Sequence, residues 1–210
     1  MDKQPRTPGR TTFILSVITE NLWELVQLNL LFLLTCVPLV TIGPALTALD
    51  ACFSDILQKQ RRDEPILPRY FAAFRSRFLA ALPWGLALLA GSFVLGFALF
   101  WYGSLASGSW LYVPFTALSL LGLIFFLGIL SHLFLLLAEG GMEAGETSLP
   151  KAAALRALTR MKQTLIGLAA AFILLAAQLL LLPATVPLLL SLGLSVPGLI
   201  MAWACMGRRE

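Results

Sequence analysis

The residues best suited to chemistry in this chain are ionisable side chains that lie inside otherwise apolar segments. Glu24, Asp50 and His132 each lie in a long apolar run, and helical spacing places all three at similar depths within their helices. A charge at mid-bilayer costs about 2.5–3.5 kcal/mol, so each of them needs a structural or functional reason. One interpretation is a polar crevice that opens to the cytoplasm. In the alternative, Glu24 reaches the headgroups, Asp50 pairs locally and His132 bonds to a neighbouring helix.

Motifs for enzyme chemistry are missing from the sequence. It contains no Walker loop, no GxGxxG motif and no GxSxG motif, and its single histidine excludes an HExxH zinc site. The cysteines Cys36, Cys52 and Cys205 lie in apolar surroundings without CxxC spacing, which predicts small buried side chains and no disulfide. We therefore expect no catalytic residue, no metal and no cofactor.

The composition is that of a membrane protein. Of the 210 residues, 59% are hydrophobic and 12% are charged, whereas soluble domains carry roughly 25% charged residues. A net charge of +4 would suggest nucleic acid as the partner of a soluble chain, but here every Lys and Arg lies outside the apolar runs. The lipid bilayer is thus the expected partner, and nucleic acid is not.

The apolar runs predict an all-α, polytopic membrane bundle that forms a single domain over residues 1–210. A tail (1–12) and two connectors (59–78 and 139–163) carry 13 of the 15 Lys and Arg residues, and each connector includes a basic amphipathic helix. The second membrane helix has about fifteen residues where a full crossing needs about 20, so it is either short or re-entrant. The six predicted membrane helices are 14–38, 44–58, 79–101, 111–138, 164–182 and 186–206.

Positive charge sets the predicted orientation. With six passes, all 15 Lys and Arg residues fall on one side, as the positive-inside rule requires, whereas five passes place one basic group outside. We expect a bacterial cell-membrane protein with both termini in the cytoplasm. The connector bases can contact either anionic lipid or a cytoplasmic partner. These bases are Arg61, Arg62, Arg75, Arg77, Arg156, Arg160 and Lys162.

Two further patterns concern the architecture. The segment from Arg75 to Phe78, before the third helix, parallels the segment from Arg160 to Gln163, before the fifth. This predicts a parallel repeat, unless any cytoplasmic connector looks basic and amphipathic. The turn at Thr41, Gly43 and Pro44 breaks the chain between helices one and two. It can form a mouth or docking point on the outer side, or it can simply fold the hairpin.

The same turn carries a family resemblance. The stretch from Pro38 to Leu49, Pro-Leu-Val-Thr-Ile-Gly-Pro-Ala-Leu-Thr-Ala-Leu, resembles the signature of the YesL-like family of small bacterial membrane proteins. The segments Asn29–Leu34 and Phe71–Phe78 fit in order and spacing. Members are often encoded beside carbohydrate ABC importers and sensor kinases. The resemblance implies an accessory or regulatory role in sugar uptake and assigns no catalytic residues.

The expected function is therefore a non-enzymatic membrane accessory protein that works with ABC importer subunits for carbohydrate, specifically oligosaccharide. The alternative is a small-solute transporter or channel that acts on its own. A membrane-embedded enzyme is the third class, and it lacks a recognisable pair of nucleophile and base.

Overall fold

The computed structural model describes residues 10–58, 65–140, 148–181 and 186–206. These residues form helices joined by short turns, and no strand occurs among them. The predicted tail and parts of both connectors lie outside this range. The helices are α1 (Arg10–Glu20), α2 (Leu22–Thr35), α3 (Ile42–Leu57), α4 (Ile66–Ser76), α5 (Phe78–Ala106), α6 (Val113–Ala138), α7 (Leu149–Thr159), α8 (Met161–Leu180), α9 (Val186–Leu192) and α10 (Ser195–Met206).

Several of these helices are long and apolar enough to cross a membrane. The described residues contain four such segments, 39–57, 78–106, 110–138 and 161–180, and a fifth if α1 and α2 together count as one span. The chain is thus a helical membrane protein. The described residues do not confirm the count of six passes expected from the sequence, because the first and last predicted helices are each broken in two.

Both breaks occur where the sequence weakens a helix. Asn21 has φ −114° and ψ 24°, and its side-chain amide donates to the Val17 carbonyl at 2.8 Å. Local side-chain bonds of this kind compete with helix propagation, and the two pieces of the first span meet at 79°. The break between α9 and α10 consists of Gly193 and Leu194, and glycine disfavours helix interiors.

A single buried amide joins the two broken regions. The side-chain oxygen of Asn29 on α2 accepts hydrogen bonds from the backbone N–H of Leu194 at 2.9 Å and of Ser195 at 3.1 Å. These donors lie at the start of α10, where a helix leaves its first N–H groups without partners. Because Asn29 is fully buried, this contact holds α10 at a fixed position against α2.

The backbones of α3 and α5 touch where α3 begins. A Cβ atom added to Gly43 would lie 2.4 Å from the carbonyl oxygen of Ala81 and 2.8 Å from the Cα of Gly85. Side chains at these positions would therefore push the helices apart. Ala81 and Gly85 are four and eight residues beyond Arg77, so the contact lies about 6–12 Å along α5 from its start, at about 1.5 Å per residue.

A short helix followed directly by a long span occurs twice, as α4 with α5 and as α7 with α8. A single residue, Arg77, separates α4 from α5, and Arg160 separates α7 from α8 in a similar backbone conformation (φ/ψ −118°/10° and −111°/28°). We call these residues the elbows and the ends of the spans beside them the elbow end. Each short helix also bonds back to the preceding span: Arg69 to Asp55 at 3.6 Å, and Arg156 to Glu139 at 3.3 Å.

Burial is concentrated at the elbow end. In the 29 residues of α5, the buried positions are Ala81 and Gly85, and those of α6 begin at Gly128 and continue to its end. Beyond them, side chains such as Phe93 (75% exposed) and Leu118 (67% exposed) face outward. The distal halves of these two helices therefore present apolar surface suited to lipid.

The close approach of α3 and α5 predicts unequal effects for two glycine substitutions on the same helix. Gly85→Ala should lower the melting temperature in detergent, because its Cβ meets the Gly43 backbone, with a loss of about 1–3 kcal/mol typical of overpacking. The matched control is Gly96→Ala, whose Cβ meets nothing within 4 Å. It should leave stability unchanged or raise it by up to about 1 kcal/mol through helix propensity. Equal melting temperatures for the two variants would contradict the contact.

Candidate functional sites

A polar cavity with a volume of about 880 Å³ lies between α3, α4 and the end of α6. We call it the α3–α4 crevice. Each wall is one helix face with the spacing i, i+3, i+4 and i+7, and small side chains at the centre of the faces leave the space open. The α3 wall is formed by Ala51, Ser54, Asp55 and Gln58, and the α4 wall by Arg69, Ala72, Ala73 and Ser76.

The opposite face of α4 anchors it to the bundle. Tyr70 is fully buried, and its hydroxyl lies 2.8 Å from the hydroxyl of Thr35 and 3.4 Å from the Ala45 carbonyl oxygen. Its ring stacks on Phe74 at a centroid distance of 6.4 Å. Burial raises the pKa of Tyr70, so the phenol stays neutral and serves as a packing and hydrogen-bonding group. The alanine face of α4 is thereby held toward the crevice.

The charges around the crevice do not cancel completely. Asp55 pairs with Arg69, and Glu139 pairs with Arg156. Arg77 also lines the cavity, but its buried Nη1 has no hydrogen-bond partner within the described part of the chain. Burial lowers the pKa of this guanidinium, which is the expected cost of removing a charge from water. Arg75, two residues earlier, is exposed.

A second cavity, of about 330 Å³, lies where α3, α5, α6, α8 and α10 meet. Its walls are mainly apolar, with Leu46, Phe134 and Met201 among them, and its polar side chains include Asp50 and Ser131. The Ser131 hydroxyl donates to the Leu127 carbonyl of its own helix at 2.8 Å. No hydrogen bond or ion pair reaches the Asp50 carboxylate from the described residues. We call this cavity the Asp50 chamber.

His132 is placed away from that chamber. It is 1% exposed, and its Nε2 lies 2.8 Å from the hydroxyl of Thr164. That hydroxyl lies 3.1 Å from the Arg160 carbonyl, to which it donates its one proton. The bond between His132 and Thr164 ties α6 to α8. This contact agrees with the alternative interpretation of the sequence, in which His132 bonds to a neighbouring helix.

Glu24, the third member of the predicted polar crevice, is half-buried on α2. Neither Glu24 nor His132 lines the Asp50 chamber. Neither of the two described cavities therefore brings the three ionisable residues together. Helical spacing estimated their depths, but depth alone does not determine which face of each helix meets its neighbours.

The predicted basic residues have separate roles. The Arg160 guanidinium donates to the Cys205 carbonyl at 3.1 Å, and also to that of Met206, at the end of α10. Arg156 is bound to Glu139, whereas Arg75 and Lys162 are exposed. Arg61 and Arg62 lie outside the described residues.

The predicted turn is buried for the most part and makes internal bonds. The Thr41 hydroxyl is within hydrogen-bond distance of the carbonyl oxygens of Thr35 and Pro38, and Gly43 and Pro44 are buried. Its position beside Ala81 and Gly85 places it nearer the elbow end of α5 than the distal end. From the sequence, the turn is expected on the outer side of the membrane. The turn lies elsewhere because the short α3 starts against the backbone of α5 near the elbow end and not at the distal end of α5.

Sequence reasoning missed the α3–α4 crevice, although one signal was available. In Phe71-Ala72-Ala73-Phe74, two alanines interrupt an aromatic run on a helix that also carries Arg69 and Ser76. Two adjacent small residues on the polar side of an amphipathic helix indicate space beside that helix. No three His, Cys, Asp or Glu side chains in the described ranges come close enough together to hold a metal ion.

These features define a helical integral membrane protein whose described ion pairs and polar crevice lie at one end. Residues 25–99 match the model of a family described as a protein of unknown function, DUF624. The matched region runs from α2 into α5 and so includes the turn, both walls of the α3–α4 crevice and the contact between Gly43 and Gly85. No curated protein and no solved structure matches the chain.

Proposed function

We propose that this chain is a non-enzymatic accessory or regulatory protein of the bacterial cell membrane that works with a carbohydrate ABC importer, as the YesL-like resemblance implies. The observation that carries the accessory role is the distribution of polar groups along the spans. The ion pairs, the α3–α4 crevice and the exposed Arg75 and Lys162 lie at the elbow end. A protein with this layout offers a charged surface for a partner on one side of the membrane.

The apolar side chains in the distal halves of α5 and α6 favour an accessory role over a transporter or channel that acts on its own. The distal parts of α5 and α6 expose large apolar side chains, including Phe97 (56% exposed) and Leu121 (51% exposed). A pathway for a polar solute needs polar groups or water-filled space through the full membrane thickness. The family match over residues 25–99 supports the YesL-like assignment, because it covers the segments that carry the resemblance.

Copurification tests the accessory role. The tagged chain, expressed at its endogenous level and extracted in mild detergent, should recover ABC importer subunits that mass spectrometry identifies. Reversing two exposed charges at the elbow end, Arg75→Glu with Lys162→Glu, should reduce that recovery by about tenfold, since like charges across an interface are costly. The control is Ser107→Glu, at the exposed connection between α5 and α6, which should leave recovery unchanged. The proposal fails if no importer subunit copurifies or if the double variant recovers as much as the control.

The Asp50 chamber favours a second candidate function, a small-solute transporter. An unpaired carboxylate inside a membrane-embedded apolar cavity suits a solute with one positive charge, because the two charges then offset each other's desolvation. The chamber volume of about 330 Å³ is at the lower end of the range for small-molecule sites, about 300–1,000 Å³.

Proteoliposomes that contain only this chain test the second candidate, with radiolabelled tetraethylammonium as a permanently charged probe. Transport through the chamber predicts uptake above that of empty liposomes, and Asp50→Asn should abolish it because the counter-charge is lost. Glu24→Gln removes an acid that does not line the chamber and should leave uptake intact. Uptake that is no greater than in empty liposomes, or that survives Asp50→Asn, excludes this candidate for cations.

For topology, we propose that α2, the turn and α3 form a re-entrant hairpin that enters and leaves on the cytoplasmic side. The support is the contact of Gly43 with α5 about 6–12 Å from the elbow. Because an inserted hairpin returns to the side from which it enters, the described bases and both termini stay cytoplasmic, as in the six-pass layout.

Cysteine labelling distinguishes the two topologies. In a variant with Cys36, Cys52 and Cys205 replaced, single cysteines are placed at the exposed positions Val37, Ser107 and Ser148. The re-entrant hairpin predicts that a membrane-impermeant maleimide added to intact cells labels Ser107→Cys alone. Labelling of both Val37→Cys and Ser107→Cys establishes two full crossings, and labelling of Ser148→Cys contradicts both layouts.

A further inference from the structure

The two elbow arginines occupy equivalent places in the repeated architecture but differ in their partners. Arg160 precedes α8 and donates to the carbonyl oxygens of Cys205 and Met206, at the end of α10. Arg77 precedes α5 and lies beside the end of α6, where a Cβ atom added to Gly140 would be 3.9 Å from its Nη2. No carbonyl in the described residues accepts from its buried Nη1. The Arg77 guanidinium is thus the one left with an unused donor, and it borders the α3–α4 crevice.

The crevice also offers one hydroxyl donor, that of Ser54. Gln58 Nε2 donates to the Ser54 Oγ at 2.9 Å, which leaves the hydroxyl proton of Ser54 for another acceptor. Ser76 is on the opposite wall, and its hydroxyl bonds to the Ala73 carbonyl at 3.1 Å. Arg77 and Ser54, which both line the crevice, therefore have donors for a ligand with several acceptor oxygens.

We propose that the α3–α4 crevice is a binding site for a singly charged phosphate diester, held by the guanidinium of Arg77. The planar fork of arginine matches the oxygens of a phosphate in a bidentate arrangement. The volume of about 880 Å³ accommodates the phosphate together with a polar substituent. A bound anion supplies the partner that Nη1 lacks.

The charges around the crevice favour a ligand with a single negative charge. In the described part of the chain, two of the three arginines close to the crevice, Arg69 and Arg156, are bound to Asp55 and Glu139, so among these residues one positive charge remains uncompensated. The same two carboxylates border the cavity and repel a second negative charge on the ligand. A phosphate diester carries one negative charge at neutral pH, as do the phosphates in phospholipid headgroups. The crevice lies at the ends of the spans α3 and α6, at the level where such headgroups occur.

The phosphate can belong to a lipid headgroup or to a soluble diester. Two probes, each added to the delipidated protein in detergent, distinguish these sources. One probe is dioleoylphosphatidylglycerol in mixed micelles, and the other is dimethyl phosphate, a soluble diester of the same charge. The measurement is the melting temperature as a function of probe concentration. A rise with either probe supports the site: a rise with the lipid alone identifies a membrane headgroup, and a rise with dimethyl phosphate identifies a free diester as sufficient.

Matched variants locate the effect at Arg77. Arg77→Gln should raise the half-saturating concentration by about tenfold or abolish the shift, since a charge-assisted bond is lost. Arg75→Gln removes the same charge from an exposed position two residues away and should respond like the unmodified protein. Arg77→Lys keeps the charge without the fork, so it should be intermediate, and it serves as the test variant if Arg77→Gln fails to fold. The proposal is overturned if neither probe raises the melting temperature, or if the Arg77 and Arg75 variants respond alike.

Discussion

The direct contact between the backbones of Gly43 and Gly85 is the constraint on which the arrangement at the elbow end depends. Only glycine permits α3 to begin against α5 at this distance. With its start fixed, α3 presents Asp55 to Arg69 on one side and Asp50 to the chamber on another. The family match covers both glycines. The turn, which sequence reasoning treated as a possible mouth, is therefore better understood as the point that sets the position of α3.

Polar groups inside the bundle serve two purposes that can be separated by their partners. Asn29 and His132 bond to groups on neighbouring elements, and these bonds hold broken or adjacent helices together. Asp50 and Arg77 are different, because each borders a cavity and neither side chain has a hydrogen bond or ion pair among the described residues. Since unpaired charges at such positions are costly, these two are the residues for which a ligand offers the clearest explanation.

How much the sequence predicted depended on the kind of signal. Helix class and the ends of α6 followed from long apolar runs. The local pattern that repeats before α5 and α8 lies at the two elbows, but the helix breaks at Arg77 and Arg160 were not predicted. The break at Asn21 was not predicted. Hydropathy is averaged over many residues and does not register the single hydrogen bond from the Asn21 side chain to the Val17 carbonyl. Neither described cavity contains Glu24, Asp50 and His132 together. A single sequence gives the depth of each residue in its helix, but it does not give the rotation of that helix against its neighbours. The crevice needs two faces in register, which only the packed structure provides.

The uneven burial along α5 and α6 has a mechanical consequence. At the elbow end, α3, α7 and α10 pack against these two spans, whereas their distal halves carry exposed aromatic and aliphatic side chains. The distal halves of α5 and α6 therefore meet lipid over most of their surface. The packing of these two spans thus depends more on the surrounding lipid at the distal end, and more on protein contacts at the other.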